Sequence, residues 1–213
     1  MKLAALIICA AGAHANAATV TLQNAILLTG AQNLTSGALT SNTNAFLIQE
    51  RSRFLLPSEI TLDTLTNGIT YSTFWPGTSS TLPAGTLVDV WLFHVQRSGF
   101  SLGNLTSTID FGAPILGYAG RSLCGLGGAC LSSTDAFGNP GSVYSAGVLR
   151  GLELLIGNDT ILQNSNSAVT ISAVTNAFLL DEVRIFTVSN PEPGTIVMMG
   201  VAFGVLAAVR RLR

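Results

Sequence analysis

The chain has 213 residues, of which 48% are hydrophobic and only 10% charged, with a net charge of −1. That charge content lies well below the roughly 25% of an average soluble protein. Between residues 18 and 190 there are six Arg, ten acids and no Lys, a balance near −4 (six minus ten) that repels polyanions and excludes a nucleic-acid binder.

The N-terminus opens with Met1-Lys2, a short positive start, followed by an apolar run over 3–12. Ala13-His14-Ala15 and Ala15-Asn16-Ala17 both satisfy the small-x-small cleavage rule. The pattern predicts a signal peptide over 1–17, cut after Ala17 or alternatively after Ala15. The run is too short to span a membrane. Sec-type export machinery and a signal peptidase are the implied partners.

Residues 18–189 are rich in Thr, Ser, Asn, Gly and Val. Thr and Val favour strands, whereas Gly, Asn and Ser favour turns. Apolar runs are short and divided by turn signals, the pattern of a β-sandwich or barrel. Strands are predicted over 19–28, 45–51, 59–65, 87–96, 107–111, 148–156, 168–174 and 182–188. Both faces of 87–96 are mainly apolar, which predicts a central strand covered on each side. Glu182, Arg184 and Phe186 alternate with Val183, Ile185 and Thr187, which predicts a half-exposed strand. The fold class expected is all-β, an antiparallel sandwich of jelly-roll type, followed by a single C-terminal hydrophobic helix.

Cys9 lies in the signal peptide, leaving Cys124 and Cys130 in the exported chain. Two Cys this close in an oxidising compartment predict a disulfide worth about 2 kcal/mol, with two free thiols as the alternative. Zinc would need about four ligands, more than these Cys and one His supply.

His94 is the one imidazole left after export. On a strand packed on both sides it reads as a hydrogen-bonded structural residue. No Ser stands in a Gly-x-Ser-x-Gly elbow. Asp63, Asp89, Asp110, Glu153 and Asp181 show no spacing that marks a glycosidase pair. Asp89, on a largely apolar face, is expected at a strand edge or paired with Arg97 or Arg121. Asp135, Asn139, Asn158 and Asp159 offer loop oxygens to calcium but lack EF-hand spacing. The expectation is therefore no enzyme and no resident cofactor. Trp75, beside Pro76-Gly77, is the best candidate for a sugar-binding aromatic, with Tyr71 beside it and Phe74 and Tyr118 able to assist. The alternative is that Trp75 plugs the end of the sandwich.

The C-terminus has three parts. Pro191-Glu192-Pro193-Gly194 breaks any helix. Residues 195–209 carry no charge and, as a helix, would reach about 22 Å. Arg210, Arg211 and Arg213 close the chain and stay cytoplasmic by the positive-inside rule, which leaves everything before Pro191 outside. This order, at the end of a chain with a signal peptide, resembles the PEP-CTERM sorting signal of Gram-negative bacteria. The resemblance covers 190–213. It implies recognition by an exosortase, cleavage near Pro191-Glu192-Pro193, transient residence in the inner membrane through 195–209, and a destination at the cell surface or extracellular matrix. It also implies an association with exopolysaccharide and biofilm. Short stretches at 82–86, 149–153 and 181–185 are similar to pieces of other PEP-CTERM ectodomains, and 181–185 to the last strand of lectin-like jelly rolls. The function expected is a non-catalytic structural or adhesive one that touches polysaccharide. A secreted carbohydrate-binding or carbohydrate-active protein and a permanently anchored periplasmic module are the alternatives.

Overall fold

In the computed structural model, the described residues are 19–72, 78–121, 130–146, 150–152, 159–177 and 179–189. Contacts divide the chain into Val20–Ser189 and a second unit of Met1–Thr19 with Asn190–Arg213. The strands of the first unit are β1 Thr21–Gln23, β2 Ala25–Thr29, β3 Asn33–Leu34, β4 Ala45–Leu55, β5 Ile60–Asp63, β6 Thr70–Ser72 and β7 Ser79–Leu82. They continue as β8 Leu87–Val95, β9 Gly103–Asp110, β10 Ile115–Ala119, β11 Val143–Tyr144, β12 Thr160–Gln163, β13 Ala168–Thr175 and β14 Asp181–Val188. A 3-10 helix spans Ser132–Phe137.

A five-stranded sheet runs β1-β9-β13-β12-β6, and a seven-stranded sheet runs β2-β4-β8-β14-β10-β5-β7. The five-stranded sheet is antiparallel throughout. The expected all-antiparallel pattern fails in two places, because β2 runs parallel to β4 and β11 runs parallel to β3. The reason for the first lies at Asn24. The stretch 19–28 was expected as one strand, but Asn24 takes φ 57 and splits it. β1 joins one sheet and β2 the other. Asn tolerates this left-handed conformation better than most residues. The Asn24 carbonyl accepts from Ala45 N–H at 3.0 Å and from Ser107 Oγ at 2.8 Å, so it ties the two sheets together.

The sheets share one apolar cluster. Leu47, Trp91, Phe93 and Ile185 from the seven-stranded sheet meet Ile109, Val169, Ile171 and Ile161 from the five-stranded sheet. β13 alternates buried and half-buried positions along its whole length, as a strand with one covered face should. β8 is buried on both faces nearly throughout, as its sequence predicts.

β14 differs from its prediction. It is buried over Asp181–Thr187, not half-exposed. The outer face of the seven-stranded sheet carries a second layer, in which Leu34, Leu131 and Phe137 pack on Ile48, Leu92, Val90 and Phe186. Glu182 and Arg184 point into this layer and find partners there. The strand predicted over 148–156 lies partly outside the described residues. Its described portion, 150–152, makes only isolated bridges, Arg150 to Leu180 and Leu152 to Arg121. Among the described residues no helix is long and apolar enough to cross a membrane; the helix expected over 195–209 lies outside them.

Candidate functional site

The largest concentration of polar chemistry is an ion network between the seven-stranded sheet and its covering layer. It begins with a bulge in β4. Gln49 pairs with Trp91 and Arg51 with Val90, so Glu50 is the extra residue opposite one β8 step. Glu50 is 3% exposed. Its Oε2 accepts from Arg184 Nε at 2.6 Å and its Oε1 from Arg184 Nη2 at 3.2 Å, a bidentate pair. Arg184 Nη1 also donates to Thr134 Oγ1, Asp135 Oδ1 and the Leu131 carbonyl, at 2.6, 3.1 and 3.2 Å.

Asp135 passes the network on to Arg150, whose Nη1 donates to Asp135 Oδ2 at 2.7 Å. Arg150 Nε donates to Glu182 Oε2 at 2.7 Å. Glu182 and His94 face each other across β14 and β8, with His94 Nδ1 2.9 Å from Glu182 Oε1. His94 Nε2 lies 2.9 Å from the Leu39 carbonyl. A carbonyl only accepts, so Nε2 is the donor of that bond. Tyr144 completes the arrangement. Its hydroxyl donates to Glu50 Oε1, and its ring lies 5.0 and 5.3 Å from the Arg150 and Arg184 guanidinium carbons.

Burial pushes the Glu182 carboxyl up, but the His94 hydrogen bond and the charges of His94 and Arg150 outweigh it and hold the group below its ordinary value. Burial and the Glu50 carboxylate together raise the Tyr144 phenol. Burial alone raises the Tyr118 phenol, whose hydroxyl donates to Gln163 Oε1 at 3.0 Å across the core.

The predicted site residues are scattered. His94 is fully buried. Asp89 accepts the Arg53 backbone N–H at 2.7 Å, which caps the second irregularity of β4, where Arg53 takes φ 51. Arg121 instead meets Asp63, at 3.4 Å. Of the candidate calcium ligands, Asp135 holds two guanidinium groups, Asp159 accepts the Val174 N–H and Asn139 accepts the Gly141 N–H. Among the described residues no group of three or more acidic, His or Cys side chains is placed to hold a metal. Tyr71 sits on edge strand β6, with its ring against the core and its hydroxyl accepting the Thr66 N–H at 3.0 Å. Cys130 is disulfide-bonded. Cys124, Trp75, Phe74, Glu153 and Asn158 lie outside the described residues, as do Ala15, Ala17, Pro191, Glu192, Pro193, Arg210, Arg211 and Arg213.

Arg97-Ser98-Gly99 begins the loop that joins β8 to β9, and Phe100 follows it. Phe100 is 77% exposed and Leu102 is 50% exposed. The loop is pinned on several sides. Ser98 N–H donates to Asn42 Oδ1 at 3.2 Å, and Asn42 Nδ2 donates back to Ser98 Oγ at 2.8 Å. Ala177 N–H donates to the Gly99 carbonyl at 2.8 Å, and Asn176 Nδ2 to the Phe100 carbonyl at 3.3 Å. The Arg97 guanidinium lies so close to Gly103 that a Cβ there would fall 2.0 Å from Nη1. An aromatic next to Gly in a Ser-rich loop is the signal that could have marked the position.

No protein-family model, curated protein or solved structure matches this chain.

Proposed function

We propose that the chain is exported, sorted through its C-terminal tail by an exosortase, and serves without catalysis as a structural or adhesive component of the cell surface or extracellular matrix. The observation that carries this reading is the order of three elements at one end. Pro191-Glu192-Pro193, the uncharged stretch 195–209 and the cluster Arg210, Arg211 and Arg213 stand in a chain whose residues 1–17 read as a signal peptide. Apolar length and terminal cations give the tail its topology, and the Pro-Glu-Pro block displays a processing site beside it. A jelly-roll arrangement is the finer fold proposed for 18–189. Two sheets around a shared core support it, while the parallel β2–β4 edge departs from the simplest form. The ion network fits the reading of a durable scaffold, because its carboxylates and guanidiniums are engaged with one another.

Intact mass and terminal-peptide mapping on protein recovered from the surface and membrane fractions of the native host test this function. A product beginning near Ala18 and ending near 191–193 is expected. A membrane-bound product that retains Arg213 would overturn the sorting claim and leave a permanently anchored periplasmic module.

A further inference from the structure

We infer that the end of the first unit from which the chain departs is a contact surface for a lipid bilayer, with Leu55 and Leu87 resting in the headgroup layer. The inference rests on the reading of 195–209 as a segment that enters the membrane. It gives the exported domain a docked position before the tail is cut.

Leu55 and Leu87 are 59% and 39% exposed. They pair across β4 and β8, so their side chains leave the sheet side by side on one face. In the preceding row Phe54 pairs with Val88, and Val88 pairs with Val188 of β14. Ser189, the last residue of the unit, stands one step past Val188 and therefore comes level with Leu87. The point of departure and Leu55 are thus about 10 Å apart, two strand spacings. The backbone that displays the pair is held in place. Leu56 N–H donates to the Thr86 carbonyl at 3.0 Å, and Gly85 N–H to the Leu56 carbonyl at 2.8 Å. Pro57, Pro83 and Ala84 beside them are exposed as well. Segments 54–58 and 82–88 hold no charged residue, so no ion has to shed its water when this end meets a bilayer surface. Contact there removes apolar surface from water.

The chain that follows commits the surface to lipid. Only residues 190–194 separate Ser189 from the uncharged stretch 195–209. Six extended steps reach about 20 Å. Once 195–209 enters a bilayer, this end of the unit is tethered within that distance of it. The tether makes lipid contact intramolecular in effect, at a local concentration that a soluble partner does not match. Ile26, 42% exposed, lies at the opposite end, since it pairs with Phe46 and Phe46 with His94. His94 is seven steps of about 3.3 Å, or about 23 Å, along β8 from Leu87.

The test places the full chain in vesicles of phosphatidylcholine brominated near the headgroup and reads, by difference from the parent chain, the emission of one added tryptophan. Ala84→Trp reports on the surface without altering the leucines, Ile26→Trp on the opposite end and Val201→Trp on the tail. Bromine should quench Val201→Trp and Ala84→Trp and leave Ile26→Trp unquenched. Leu55→Ser with Leu87→Ser should abolish the quenching at 84, leave that at 201 and leave the thermal midpoint unchanged; Leu55→Ser alone should give a partial loss. Quenching at 201 without quenching at 84 overturns the inference and leaves the tail reading standing. Equal quenching at 84 in the double serine variant also overturns it, because the tether alone then accounts for proximity. Shielding of 84 from water that needs a high protein density and shows no bromine quenching assigns the surface to a second copy and overturns it too. An unquenched tryptophan at 201 sinks the tail reading, and the inference with it.

Discussion

Replacing Arg184 by Met keeps the length of the side chain and deletes its charge and all five of its hydrogen bonds. Glu50 then stays 3% exposed with the Tyr144 hydroxyl still donating to it but no cation beside it. The Leu131 carbonyl and the Thr134 hydroxyl also lose a donor. Removing one partner of a buried ion pair costs about 3–5 kcal/mol, because the remaining charge is left uncompensated. A domain of this size is stable by about 5–15 kcal/mol. With a urea m-value of about 2 kcal/mol per molar, the unfolding midpoint should fall by about 2 M. The assay is urea unfolding followed by tryptophan fluorescence with the disulfide kept oxidised. Glu50→Gln in the Arg184→Met background should recover part of the loss, which makes the coupling measurable as a double-mutant cycle. Arg184→Lys should fall between, since an ammonium cannot reproduce the fork that grips Glu50. A loss below about 1 kcal/mol for Arg184→Met would refute the reasoning, because that is the range of an exposed ion pair.

Two further outcomes follow from the same layer. The Glu182 carboxyl is held below its ordinary value in the folded chain, so the unfolded chain binds the extra proton. Its stabilisation is complete above the ordinary Glu value of about 4.3 and is lost as pH falls through the lower folded value. Glu182→Gln should flatten the pH dependence of stability in that acid window by up to about 1.4 kcal/mol per pH unit, and identical slopes for variant and wild type would count against the assignment. Gly138→Ala places a Cβ 2.0 Å from the Tyr144 hydroxyl oxygen and 2.9 Å from Glu50 Oε1. It should lower the thermal midpoint by several degrees, about 1–3 kcal/mol of overpacking, and a neutral result would mean that the Tyr144 ring gives way freely.

The parts of the fold that were legible are those whose partners are local or whose pattern is one-dimensional. Residues 87–95 are apolar on both faces and form a central strand; 168–175 alternate and form a strand with one covered face. What was not legible depends on partners far along the chain. Glu182 and Arg184 read as a solvent-facing row because alternation alone cannot tell water from a covering layer. Arg184 meets Glu50 across 134 residues, and Glu182 meets Arg150 across 32. Asn24 breaks a continuous strand pattern without Gly or Pro, through a positive φ that its side chain merely tolerates. β3 and β11 have two residues each, too few for any periodicity to register.

The way the chain distributes its few charges links fold to role. Arg150 and Arg184 are enclosed with Glu50 and Glu182, and Arg121 lies against Asp63. The outward face of the five-stranded sheet is built differently. Thr108 pairs with Thr170 and Thr106 with Ser172, hydroxyl to hydroxyl at 2.9 and 3.0 Å, in register across β9 and β13. Charges inside a covered layer are poorly screened by salt, whereas a hydroxyl and amide surface has little to screen. Stability and surface contact are thus separated. Ionic pairing holds the covering layer to the sheet, and neutral hydroxyl pairs line the outward face of the five-stranded sheet between β9 and β13. The hydroxyl pairs between β9 and β13 carry no charge for salt to screen, a property suited to the exposed location proposed for the chain.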